Sequence, residues 1–131
     1  MPPAAPRHAP QSPAELARRA EALLPLRPAD LHVLLVLSDG PLHSYGISKA
    51  ADSVAGRVAL ELGSLYRTLN RLRTEGLIEP VAKIERGPQG QERRTWRLTA
   101  LGRAVARAEA ERLREVVEAA RTRKLLRDPM S

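Results

Sequence analysis

Residues 62–76 read Leu62-Gly63-Ser64-Leu65-Tyr66-Arg67-Thr68-Leu69-Asn70-Arg71-Leu72-Arg73-Thr74-Glu75-Gly76. Leu62, Leu65, Tyr66, Leu69 and Leu72 recur at i, i+3, i+4, i+7 and i+10, the spacing that puts them on one face of an α-helix. Ser64, Arg67, Thr68, Arg71 and Glu75 fall on the opposite face. Gly76 supplies the conformationally free residue that commonly follows a helix end. Arg67, Arg71 and Arg73 against Glu75 leave the segment a net +2. A helix with an apolar back and a polar, cationic front fits the major groove of DNA, where base edges present distinguishable donors and acceptors. The same front would also serve as an ordinary solvated surface, so the flanking segments have to decide.

Downstream, strand-like runs at 77–84 and 93–98 enclose the polar stretch Glu85-Arg86-Gly87-Pro88-Gln89-Gly90-Gln91-Glu92. Gly and Pro at those places carry turn chemistry, so the segment predicts a β-hairpin with a long tip. Lys83, Arg86, Arg93, Arg94 and Arg97 outweigh Glu85 and Glu92, a net of +3. Alternation places Trp96 and Leu98 on one side of the second strand and Thr95 and Arg97 on the other. Pro80 cannot donate to a ladder, so the first strand lies at a sheet edge or starts pairing later. Thr99 caps a final long helix reaching about residue 126. Leu101, Val105, Ala108, Leu113, Val116, Val117 and Ala120 form its apolar stripe, which drifts around the axis. Either its first half packs on its own domain and its second half on a partner, or the helix is loosely amphipathic and partly solvated.

Upstream, Ser12-Pro13-Ala14-Glu15 has the pattern of a helix start, with a cap, a first-turn proline and a glutamate three residues on. Leu16, Ala20, Leu23 and Leu24 share a face, so a helix is expected over 13–24, stopped by Pro25 and Pro28. A second helix over 28–38 is apolar nearly all round, which marks a buried centre. A third covers 45–55, with Gly56 as its stop. Residues 1–12, rich in Pro and Ala, read as a disordered arm.

The chain has 131 residues, a net charge of +7, no cysteine, and only Trp96, Tyr45 and Tyr66 as aromatics. One domain with an aliphatic core is expected, and the charge favours a nucleic-acid partner. Disulfides and thiolate metal sites are excluded. No apolar run approaches the roughly 20 residues of a membrane span. The N-terminus lacks the apolar stretch of a secretory signal, and a cytoplasmic location is expected. Three histidines, His8, His32 and His43, are too few and too scattered for a recognisable catalytic or metal motif; His32 reads as a satisfied core residue. Enzyme activity is therefore not expected.

Three stretches together resemble the PadR-like transcriptional regulators. Gly40-Pro41-Leu42-His43-Ser44-Tyr45-Gly46-Ile47 is similar to their first helix junction. Residues 62–72, running into Glu75-Gly76-Leu77-Ile78, resemble their recognition helix and first wing strand. Arg93-Arg94-Thr95-Trp96-Arg97-Leu98-Thr99-Ala100-Leu101-Gly102 resembles their second wing strand and the start of their dimerisation helix. The resemblance, which covers about residues 28–126, implies a mainly α fold with a small β-hairpin; with the composition of the arm, the expected organisation is a disordered arm over 1–12, a winged helix-turn-helix over 13–98, and a C-terminal dimerisation helix over 99–131. It implies a homodimeric repressor of double-stranded DNA, without cofactor or metal, with a small hydrophobic or aromatic effector as a further partner.

Candidate DNA contacts are Tyr45, Ser64, Tyr66, Arg67, Thr68 and Arg71 in the helices, and Arg86, Gln89, Gln91, Arg93 and Arg94 in the wing. Tyr66, on the apolar side, fits core packing as well. Tyr45 suits either the core or a phosphate contact. Gln89 and Gln91 would otherwise be loop filler. Leu113, Val116, Val117 and Ala120, joined by Leu16, Leu23 and Leu24, are the candidate dimer interface. Trp96 serves core or interface packing, or stacks on an effector.

Overall fold

A computed structural model describes residues 12–54, 62–82, 85–90 and 92–127. The arm expected over 1–12 therefore lies outside the described residues up to position 11, as do Lys83, Gln91 and the expected stop at Gly56.

The first helix, α1 (Pro13–Ala22), starts where the sequence pattern places it: the Ser12 hydroxyl accepts the Glu15 N–H at 3.1 Å. It stops two residues early, and Leu23 and Leu24 bond back to Ala20 and Glu21 in a turn. The helix α2 (Pro28–Leu37) buries Val33, Leu34, Val36 and Leu37. It touches the third, fourth and fifth helices and the sheet, which is why its sequence is apolar all round.

A two-residue strand follows, β1 (Leu42–His43), which hydrophobic alternation could not reveal at that length. The helix α3 (Ser44–Ala51) is capped by His43, whose Nδ1 accepts the Gly46 N–H at 3.0 Å. It ends four residues before the expected 55, because Asp52 and Ser53 turn back onto Lys49 and Ala50.

The helix α4 (Leu62–Thr74) closes in a double hydrogen bond, Leu77 N–H to Leu72 O and Gly76 N–H to Arg73 O, both 2.9 Å. That closure requires the left-handed backbone Gly76 adopts, at φ +80°. Beyond it come β2 (Ile78–Pro80), β3 (Glu85–Arg86), β4 (Glu92–Arg93), β5 (Thr95–Leu98) and α5 (Ala100–Thr122). The strands form an antiparallel sheet in the order β1-β5-β2, with Leu42 opposite Trp96 and Ile78 opposite Leu98. Pro80 thus sits on an edge strand, one of the two places the sequence allowed it. The expected single hairpin is two ladders, since β3 and β4 pair separately.

Thr99 and Gly102 fasten α5 to the end of α4. The Thr99 hydroxyl accepts the Gly102 N–H at 3.0 Å and donates to Gly76 O at 2.6 Å. Gly102 lies so close to Leu77 that a Cβ would overlap its carbonyl oxygen. The first half of α5 buries Leu101, Val105 and Glu109, and α1 packs across it. Its second half leaves Val116 and Val117 exposed. Helical structure ends at Thr122, short of the expected 126, in a turn with Lys124 at φ +63°.

Candidate nucleic-acid interface

Burial fixes which side of α4 faces outward. Leu65, Leu69 and Leu72 point into the core as their spacing requires. Thr68, read as part of the polar front, is buried beside them. Tyr66, placed by spacing on the apolar side, is 57% exposed, so the core reading of this residue is wrong. Arg67, Asn70 and Arg73 are exposed with it. The front is turned by about 100°, one residue's step around a helix, relative to the sequence reading. The buried side is broad enough to take in Thr68, while the Tyr66 ring lies outside along the cleft.

Arg71 has a partner that spacing does not reveal. The sequence puts it on the reading face, but its guanidinium donates to the Asp30 carboxylate of α2. The Asp30 side chain is only 7% exposed and that of Arg71 30%. The pair places a positive charge against a buried carboxylate. Ser64 is half-buried, and its hydroxyl accepts from Arg67 at 3.3 Å.

A cleft of about 280 Å³ runs between α4 and the sheet, lined by Ser44, Tyr66, Leu69, Asn70, Arg73, Arg94 and Trp96. Asn70 and Arg73 are the residues sequence reasoning missed. Both stand four apart or three apart from Tyr66 and Asn70 respectively, a signal that would have required knowing that Tyr66 is outside. Trp96 is a floor to the cleft and not a surface: it is 7% exposed and opposite Leu42, with the Arg94 guanidinium 6.0 Å over its ring. Its indole N–H is buried without a hydrogen-bond partner.

At the start of α3, Tyr45 is 56% exposed, which removes its core reading. Its ring stacks on His43 at 6.5 Å, and Lys49 Nζ stands 5.6 Å over it. Arg93, half-buried, lies 3.5 Å from His43 Nε2. Because His43 Nδ1 accepts from Gly46, the neutral ring carries its proton on Nε2, so Arg93 is in contact there without donating. In the wing, Arg86 is exposed and reaches Gly90 O at 3.3 Å across the turn; Gln89 is exposed beside it. Gln91 lies outside the described residues. The structure therefore gathers Tyr66, Arg67, Asn70, Arg73 and Arg94 on one surface, with Tyr45 and Lys49 on α3, and separates Thr68 and Arg71 from it.

His32 is in the core as it was read, with Nδ1 donating to Pro28 O at 2.7 Å, but it is only half satisfied, because Nε2 is buried without a partner. Among the described residues no three metal-ligating side chains gather, and no helix is long and apolar enough to cross a membrane.

Known proteins share this fold. The fold resembles a PadR family regulator of Clostridium difficile, with a TM-score of 0.62 at 20% identity, over 72% of this chain and 95% of that one. A putative transcriptional regulator of Thermoplasma acidophilum aligns with a TM-score of 0.60 at 21% identity, over 76% and 93% of the two chains. Bacillus subtilis PadR, in a structure with operator DNA, aligns with a TM-score of 0.55 at 22% identity, over 63% of this chain and 47% of that one. An uncharacterized 37.1 kDa protein in transposon TN4556 of Streptomyces fradiae is 42% identical over 82 residues, 63% of this chain; the match spans only 22% of that relative. The family model of the transcriptional regulator PadR-like family matches residues 33–108, from the core of α2 through the wing and into α5. The chain belongs to the PadR-like family of transcriptional regulators.

Proposed function

We propose that this protein is a DNA-binding repressor that acts in the cytoplasm as a homodimer on an inverted-repeat operator. The observation that carries the reading is the surface shared by α4 and β5. Tyr66, Arg67, Asn70 and Arg73 project from a helix narrow enough for the major groove, and Arg94, between β4 and β5, flanks them. Arg86 at the exposed tip suits the backbone or the adjacent minor groove. Tyr45 and Lys49 offer a hydroxyl and a cation to a phosphate at the start of α3. The Bacillus subtilis relative in its operator complex supports the same use of this fold.

Dimerisation is supported by α5. Leu113, Val116, Val117 and Ala120 recur at i, i+3, i+4 and i+7 along its outer half, with Val116 51% exposed. Leu16, Leu23 and Leu24 are half-buried beside this helix and would border a partner there. A two-fold axis through α5 sets two α4 helices about one DNA turn, roughly 34 Å, apart. Repression then follows from occupancy, since a head seated across both grooves excludes other proteins from the site. A small aromatic effector, the further role attached to Trp96, would enter the cleft above that ring and compete with DNA for Tyr66, Asn70 and Arg73.

Footprinting on the DNA upstream of the protein's own coding sequence tests the reading. Two protected patches one helical turn apart, with inverted sequence, are expected. A chain that protects no site, or a single unrepeated patch, would contradict it.

A further inference from the structure

We infer that Asp30 and Arg71 form a positioning pair that sets the rotation of the reading helix and makes no contact with DNA; the inference rests on the DNA-binding reading above. The core alone leaves that rotation loosely defined. Leu65, Thr68, Leu69 and Leu72 spread around much of the inner half of α4, and aliphatic contacts are non-directional. A small turn about the axis exchanges one set of buried methyl groups for another. It also replaces the outward set Tyr66, Arg67, Asn70 and Arg73.

An ion pair is directional. Asp30 sits in the first turn of α2, the helix most deeply surrounded in the molecule, and its carboxylate is nearly inaccessible. Arg71 is the α4 side chain that reaches it, and turning α4 away carries Arg71 off this nearly buried carboxylate. The far end of α4 is held by the Gly76 turn and by Thr99 on Gly76 O. Together these fix the helix at its C-terminus and along its length. The pair is poorly explained as a source of stability, because Arg71 Nε is buried there without a partner. Fixing register is the best-supported use of such buried pairs.

The test is Asp30→Asn, measured against operator and non-operator duplexes at a temperature where circular dichroism shows both proteins folded. Electrostatics alone predicts tighter binding to every duplex, because the net charge rises. The positioning role predicts that operator affinity falls about tenfold while non-operator affinity holds or rises. A proportional loss on both duplexes would mean a purely structural role and would overturn the inference. The double variant Asp30→Leu with Arg71→Met supplies an apolar pair of similar bulk. Recovery of melting temperature with selectivity still lost supports positioning, because the apolar pair fills the space without fixing the azimuth. Recovery of both would show that a directional pair is not needed and would overturn the inference. A phosphate contact by Arg71 would shrink the salt slope by about 0.9 per site in Arg71→Met, whereas a positioning residue leaves it unchanged. Failure of the wild-type chain to prefer any duplex would tell against the DNA-binding reading itself, and the two failures are thereby separate.

Discussion

Individual side chains decide what α4 can read. Asn70 is the residue type that bonds adenine through two atoms, and Arg73 the type that does so with guanine. Asn70→Ala and Arg73→Ala are each expected to cost about 1–3 kcal/mol of operator affinity and to relax preference at one position per half-site. Competition with singly substituted operators checks this; uniform loss on every sequence would return both residues to the phosphate-contacting class. Thr68→Ala, in contrast, should shift the melting temperature with little effect on selectivity, because its side chain is inside. The residue scale is where the sequence was least legible. Spacing located the helix, yet a leucine, a threonine and a tyrosine at neighbouring azimuths cannot reveal which of them the core accepts. Arg71 looked free because its partner Asp30 is 41 residues away.

Elements were far more legible, because caps and stops are local. Ser12, Thr99 and Gly76 all mark helix ends as their chemistry indicates. What escaped were features made by pairing at a distance: the two residues of β1, and the seat of α5 on the Leu77 backbone after α4. Gly102 belongs to that seat. Gly102→Ala should destabilise the fold by about 1–3 kcal/mol or more, since the added methyl meets backbone and not a yielding side chain. Thermal melting checks it, and an unchanged midpoint would mean that α5 can shift freely against Leu77.

Glu109 is another long-range feature. It lies buried on α5, accepting the Leu26 N–H at 2.6 Å and paired with Arg112, and so ties the α1–α2 joint to the long helix. Burial pushes its pKa up, but the hydrogen bonds from Arg112 and Leu26 and the Arg112 charge outweigh this and hold it below the ordinary carboxylate range. A depressed folded-state pKa stabilises the protein above the ordinary value and loses that contribution as pH falls through the folded one. Glu109→Gln should therefore melt below the wild type at neutral pH, with the gap closing in acid. A gap independent of pH would show that the charge is immaterial.

At the scale of the whole molecule, the head and the long helix divide the work. The head accounts for most of the buried apolar residues, and the outer half of α5 has none of them. Val116→Glu should leave the head folded and give monomers in sedimentation. Operator affinity should then fall by about 10²-fold or more, because the two heads no longer bind as one unit. The general plan was readable from helix order, hairpin and charge, since each leaves a periodic or compositional trace. The direction in which α4 faces left none.

The central claim is that this surface binds DNA by neutralising its backbone while reading its bases. Titration of the upstream duplex between 50 and 200 mM salt tests it most directly. If a dimer meets about 6–8 phosphates, log K falls against log salt with a slope of about −5 to −7. Affinity that stays flat across that range would contradict DNA as the partner.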